Sequence, residues 1–260
     1  MVGRKMKPAI STLIIYKNKE KKLQKLVENN PKIQNWEIVD EGFHELNGKT
    51  IKQLKNLASI NGLNFAVHAP FSSINLAEAN QILREKFVWF MKKSLKKAYK
   101  LEAKVWIVHP GRLTPFTYFF PEKAWEAQIS SLNILAKEAN LTGINLVVEN
   151  MIGNFTLFKS AKDGLKILEN SENVGICLDV GHANITKNLD NFLRKISKIQ
   201  HIHVHDNNGF EDEHLPAGEG TINWKKLQKW FKTTNYDGWV VAENYKLNHS
   251  LKTLKFLGLI

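Results

Sequence analysis

The sequence predicts a single (β/α)8 barrel spanning residues 1–260, and three observations predict it. Short runs rich in Val and Ile alternate with longer stretches of helical period from end to end. Eight of each can be placed, and no low-complexity linker divides them. With 43% hydrophobic and 24% charged residues over 260 positions, the composition excludes disorder, collagen and coiled coil for the whole. An open doubly wound sheet is the competing arrangement, but its nucleotide-binding form carries GxGxxG or a GK-containing phosphate loop after the first strand, and neither is there.

The strands are expected at residues 9–15 (AISTLII), 36–40 (WEIVD), 64–68 (NFAVH), 105–109 (VWIVH), 144–149 (INLVVE), 174–179 (VGICLD), 199–205 (IQHIHVH) and 238–243 (GWVVAE). Helices are expected between them. The clearest covers 81–100, where Leu83, Phe87, Met91, Leu95 and Ala98 recur every three or four residues. Pro121, suited to a first helical turn, opens another with Trp125, Ile129, Leu132 and Leu135 on one stripe. Others fall at 19–29, 50–60, 160–169, 188–197, 224–233 and 246–257.

No apolar run approaches the roughly 20 residues that span a bilayer, and no signal-peptide pattern opens the chain, so an intracellular, cytoplasmic protein is expected. Cys177 is the only cysteine, so a bound metal would rest on histidine and carboxylate. The formal charge is +12, but only four of the 37 basic residues are arginine, and the lysines fall mostly on helical stretches such as KNKEKKLQKL and MKKSLKKAYK. Solvated helix faces explain that charge as well as a nucleic-acid surface does, and specific phosphate recognition favours arginine.

In a barrel of this kind the chemistry belongs at the carboxyl ends of the strands. His68, His109, Glu149, Asp179 with His182 just beyond, His203 with His205, and Glu243 all lie at or beside the ends of six consecutive strands. Residues two apart share a face of a strand. Ile202 and Val204 suit the helix side, so His201, His203 and His205 point inward; the same parity turns His109, Glu149, Asp179 and Glu243 inward. Several interior carboxylates are costly to keep charged unless a cation joins them. A metal on Glu149, Asp179, His203 and Glu243 is the expectation. His201 and His205 are read as hydrogen-bonded interior residues, and Asp206, Asn207 and Asn208 as turn formers. Asp212 and His214 fit either an exposed loop or a ligand pair. Parity does not choose between Glu37 and Asp40 for the interior.

At these residues the chain resembles the superfamily of xylose-isomerase-like TIM barrels, which includes sugar and sugar-phosphate isomerases and epimerases and the endonuclease IV type of abasic-site nuclease. The resemblance runs from the third strand onward, through HAPFSSINLA (68–77), HPG (109–111), EN (149–150), CLDVGHAN (177–184), HIHVHDNNGFEDEHLPAGEGTINW (201–224) and AEN (242–244). For the isomerases it implies one divalent ion on Glu149, Asp179, His203 and Glu243, with Mn, Mg or Co suited to three oxygens and one nitrogen. It also implies Glu149 and Glu243 as the acid/base pair and His182 as a hydrogen bond to a small sugar or sugar-phosphate substrate. For the nucleases it implies up to three Zn ions, with His68, His109, His182, Asp212 and His214 as further ligands, and DNA as the partner.

Departures weigh against the nuclease: Phe71 stands where that signature has tyrosine, Val180-Gly181 where it has Thr-Cys, and Glu213 where it has arginine in Asp-Arg-His. Against the sugar epimerases, Asp206 and Asn207 stand where an arginine often follows the seventh-strand histidine. Arg112, beside HPG, is the arginine nearest the expected mouth. It suits a phosphate, a carboxylate or plain solvent equally.

Overall fold

Parallel pairing runs without interruption around eight strands and closes on itself, β1 against β8. In the computed structural model, which describes residues 6–19 and 23–260, the strands are β1 (Lys7–Ser11), β2 (Asn35–Val39), β3 (Asn64–His68), β4 (Val105–Val108), β5 (Asn145–Glu149), β6 (Val174–Asp179), β7 (Ile199–Val204) and β8 (Trp239–Ala242). The helices are α1 (Leu23–Glu28), α2 (Gly48–Asn61), α3 (Gln81–Lys100), α4 (Pro115–Phe119), α5 (Pro121–Leu141), α6 (Ala161–Asn170), α7 (Val180–Ile185), α8 (Leu189–Lys195), α9 (Trp224–Thr234) and α10 (Leu247–Phe256). The expected (β/α)8 barrel is what forms. Residues 1–5 of the expected domain, and 20–22 of the helix expected at 19–29, lie outside the described residues.

Strand parity sorts the core into two layers. Trp36, Ile38, Phe65, Val67, Trp106 and Val108 belong to the outer layer, which packs under the helices. Ala9, Ala66, Val105, Ile107, Val147, Cys177, Trp239 and Val241 form a separate cluster inside the barrel. The small Ala9 and Ala66 on two strands leave room for Trp239 on another. Above that layer, toward the carboxyl ends, the interior turns polar.

Three local features depart from the sequence expectation. The first strand ends at Ser11, whose hydroxyl accepts the Leu13 N–H and turns Thr12–Ile15 into a 3-10 helix; Thr12 Oγ1 then accepts the Val39 N–H at 2.9 Å. The short helix α4 precedes α5, opened by the reciprocal Thr114–Thr117 cap and Pro115. Directly after β6, Asp179 caps α7 by accepting the His182 N–H at 2.6 Å. Among the described residues, no helix is long and apolar enough to cross a membrane.

Candidate metal centre at the barrel mouth

The expected ligands converge. His203 Nδ1 lies 3.4 Å from Glu149 Oε1, 3.3 Å from Glu243 Oε2 and 3.8 Å from Asp179 Oδ2. One ligand atom from each of these four buried side chains lies within 4.8 Å of the others. His203 Nδ1 has no hydrogen-bond partner, while its Nε2 meets Glu37 Oε2 at 3.2 Å. A buried, unpartnered imidazole nitrogen facing three carboxylates is an arrangement that a divalent cation satisfies, so the donor set fits a metal.

Two further groups flank it. His68 Nε2 and His109 Nε2 each stand 3.3 Å from Glu149 Oε2, and His182 Nε2 and His214 Nε2 stand 3.3 and 3.1 Å from Asp212 Oδ2. His205, fully buried, reaches Asp179 Oδ2 at 3.2 Å and groups with Asp179 and His182 on one side and with Asp212 and His214 on the other. A deeper group of Cys177, His201 and His203 shares the central imidazole, but Glu37 already engages Nε2 of both histidines. Three histidines present the other ring nitrogen to a backbone carbonyl: His68 Nδ1 to Ala69, His182 Nδ1 to Asn150 (both 2.9 Å) and His214 Nδ1 to Glu243. When that nitrogen carries the proton, Nε2 is left as the lone pair aimed at a carboxylate.

The two Glu-Asn pairs of the sequence share one construction. Each Glu turns inward and each Asn turns sideways to hold the next loop. Asn150 Nδ2 donates to the Asp179 carbonyl at 3.0 Å and its Oδ1 accepts the Asp179 N–H at 2.9 Å. Asn244 Nδ2 donates to the carbonyls of His214 and Leu215 at 2.9 and 2.8 Å. Two glycines are fixed by close approach: a methyl group on Gly181 would overlap the His205 ring, and one on Gly111 would overlap the Ala77 backbone.

The buried charges shift one another's proton affinities. Burial disfavours the ionised form of Glu149, but His203 and His109 prevail and hold its pKa well below the carboxylate range. Burial and the nearby Glu149 raise that of Glu243 despite His203. Burial opposes charging of His68, yet the hydrogen bond and charge of Glu149 raise it to about 9. Against the same opposition, Asp179 and Asp212 raise His182 to about 10, and Asp212 raises His214 to about 9. For His109 burial wins and the pKa falls.

Asp206 and Asn207 are buried and do more than turn the chain: Asp206 accepts four hydrogen bonds that close the loop carrying Asp212 and His214. His201 is an interior hydrogen-bonded residue, as expected. Glu37, not Asp40, faces the interior; Asp40 accepts the Leu46 N–H and meets Lys97 Nζ outside the barrel. Trp36 and Ile38 flanking Glu37 on the outer face are the signal that places it. Arg112 is exposed, and Asn75 clamps its backbone N–H and carbonyl. Phe71 stacks on His109 with ring centroids 5.0 Å apart and meets the edge of His68, so an aromatic wall bounds one side of the site.

Known proteins resemble this chain to different degrees. The uncharacterized protein MJ1311 of Methanocaldococcus jannaschii is 34% identical over 97% of this chain and 88% of its own length. The solved structure of a D-tagatose 3-epimerase-like protein superposes with a TM-score of 0.89 at 33% identity, covering 97% of this chain and 96% of that one. More distant are a D-psicose 3-epimerase of Ruminiclostridium cellulolyticum, 27% identical over 75% of this chain and 68% of its own, and a probable endonuclease 4 of Halothermothrix orenii, 28% identical over 70% and 72%. The profile described as xylose isomerase-like TIM barrel matches residues 32–257, and the chain belongs to that family.

Proposed function

We propose that the protein is a divalent-metal-dependent epimerase or isomerase of a small sugar or sugar phosphate, with a ketose as the first substrate class to test. The observation that carries this reading is the convergence of His203 Nδ1 with the carboxylates of Glu149, Asp179 and Glu243. The likeness to a D-tagatose 3-epimerase-like structure over nearly the whole chain supports it. Those four residues are proposed to hold one Mn, Mg, Co or Zn ion, which when bound polarises a carbonyl and its neighbouring hydroxyl and acidifies the carbon between them.

The protein's own groups then divide the proton work. Glu149 and Glu243 are the proposed acid/base pair, two carboxylates on different strands that remove a proton and return it. His182 holds a substrate hydroxyl through Nε2. Phe71 covers an apolar face of the substrate. Arg112, exposed on the loop after β4, is the proposed contact for a phosphate, so Arg112→Ala is expected to raise KM for a phosphorylated ketose and leave the free sugar unaffected.

The test is solvent exchange: the Mn-loaded protein and a panel of ketoses and their phosphates in D2O, followed by NMR. Deuterium entering the carbon beside the carbonyl is expected, with Glu149→Gln and Glu243→Gln each abolishing it. Exchange that survives both substitutions overturns the assignment.

A second reading, zinc-dependent hydrolysis of abasic DNA, is favoured by one specific observation. His68 and His109 beside Glu149, and His182 and His214 beside Asp212, join the central four to give the nine residues that this reading requires. Cleavage of abasic DNA that depends on His109 and Asp212 would establish it.

A further inference from the structure

Below the four converging residues, the fold keeps a carboxylate that the proposed reaction does not use. Glu37 on β2 is fully buried, and a single oxygen, Oε2, meets His201 Nε2 at 2.7 Å and His203 Nε2 at 3.2 Å, while Oε1 has no partner. A carboxylate accepts only, so both imidazoles present an N–H to that oxygen. The His201 ring is itself held, stacked on Trp239 with centroids 6.2 Å apart and planes 26° apart. Neighbouring interior positions carry Ala9, Ala66 and Cys177, which offer Glu37 no cation. A buried carboxylate in such a layer is costly unless it is paired and hydrogen-bonded, and His201 and His203 are what Glu37 Oε2 meets.

What depends on Glu37 is His203. When His203 is neutral, Glu37 fixes its proton on Nε2 and leaves Nδ1 as a lone pair, and Nδ1 is the atom that faces Glu149, Asp179 and Glu243. His68, His182 and His214 use backbone carbonyls in the opposite sense, Nδ1 on the carbonyl and Nε2 toward the site. His203 therefore needs a different support. We infer that Glu37, anchored by His201, is a positioning residue that fixes the tautomer and ring orientation of His203 for binding a divalent cation through Nδ1. The inference rests on His203 being a ligand in the site proposed above.

Mn2+ affinity is measured by calorimetry for the wild type, Glu37→Gln, Glu37→Leu and His203→Gln. Outer partners of a ligating histidine typically change metal affinity by about 10- to 100-fold. Glu37→Gln, which keeps an accepting oxygen of the same shape, is expected near the lower end of that range, and Glu37→Leu, which removes the acceptor, at the upper end. A role confined to folding would lower the melting temperature of the metal-free protein without this graded rescue by Gln. In the wild type itself, long-range 1H–15N spectra with Zn2+ are expected to show the His203 signal, assigned by its loss in His203→Gln, protonated at Nε2 and shifted at Nδ1. That measurement stands even where a Glu37 variant fails to fold.

If wild-type binding depends on His203 but both Glu37 variants bind within twofold of it, the inference falls and the site stands. A His203 protonated at Nδ1 in the Zn2+ spectra also overturns it. If His203→Gln leaves Mn2+ affinity unchanged, the site and the inference fall together.

Discussion

Replacing Asp206 by alanine removes a buried carboxylate that closes the loop between β7 and α9. Oδ1 accepts the Asn207 N–H at 2.9 Å and the Ile222 N–H at 3.2 Å; Oδ2 accepts the Gly218 N–H at 2.8 Å and the Trp224 Nε1–H at 2.7 Å. Gly218 N–H, in a part-buried bond, can recover a partner from water. Asn207 N, Ile222 N and Trp224 Nε1 sit in fully buried bonds and cannot. At about 1–3 kcal/mol per stranded buried donor, the loss is about 3–9 kcal/mol. Taking about 4 kcal/mol and about 2–4 °C per kcal/mol for a domain of this size, the melting temperature falls by about 8–16 °C. Urea unfolding of the metal-free protein checks the free energy directly. The same loop carries Asp212 and His214, so the contacts of Asp212 with His182 and His214 should loosen as well. A loss below about 1 kcal/mol would refute the view that this carboxylate organises the loop.

Four further outcomes follow from the same geometry. Gly181→Ala drives a methyl into the His205 ring and pushes it off Asp179, with an expected cost of about 1–3 kcal/mol by urea titration. In the metal-free protein, His68 and His214 titrate near 9 and His182 near 10, above their unfolded values near 6.5. Their stabilisation is complete below about pH 6.5 and is lost as pH rises through 9–10, so the urea midpoint should fall over that window. A flat midpoint from pH 6.5 to 10 would contradict those environments. Cations and protons compete for His203 and Glu243, whose proton affinities are both raised, so Mn2+ affinity should rise with pH and binding should release protons, seen as buffer-dependent heats. Asp212→Ala should slow deuterium exchange into a ketose only mildly if one central ion suffices, whereas loss of all exchange would require the outer group.

The polar end of the barrel was legible because strand parity is a strict rule. IQHIHVH places Ile202 and Val204 under the helices and His203 inside, and the same reasoning places Glu149, Asp179 and Glu243 correctly. Glu37 was within reach of that rule, since Trp36 and Ile38 mark the outer face. The acidic Asp40 at the strand's end obscured it, because its partners, Leu46 and Lys97, come from elsewhere in the chain. The end of β1 was overrun for a related reason. AISTLII is apolar enough to continue as a strand, and only the Ser11 cap and the bond from Val39 to Thr12 turn it into a 3-10 helix. Helix α7 is too short for periodicity to reveal, although Asp179 three residues before His182 is a helix-start signal. The burial of Asp206 depends on a tryptophan eighteen positions away and has no local signature.

The most direct test of the central claim is an anomalous-scattering map from crystals of the protein loaded with Mn2+ as the only added cation. The account predicts one peak bounded by Glu149, Asp179, His203 and Glu243, with His203 ligating through Nδ1. A map with no peak among those four residues, or with its strongest peak at His182, Asp212 and His214, would contradict it.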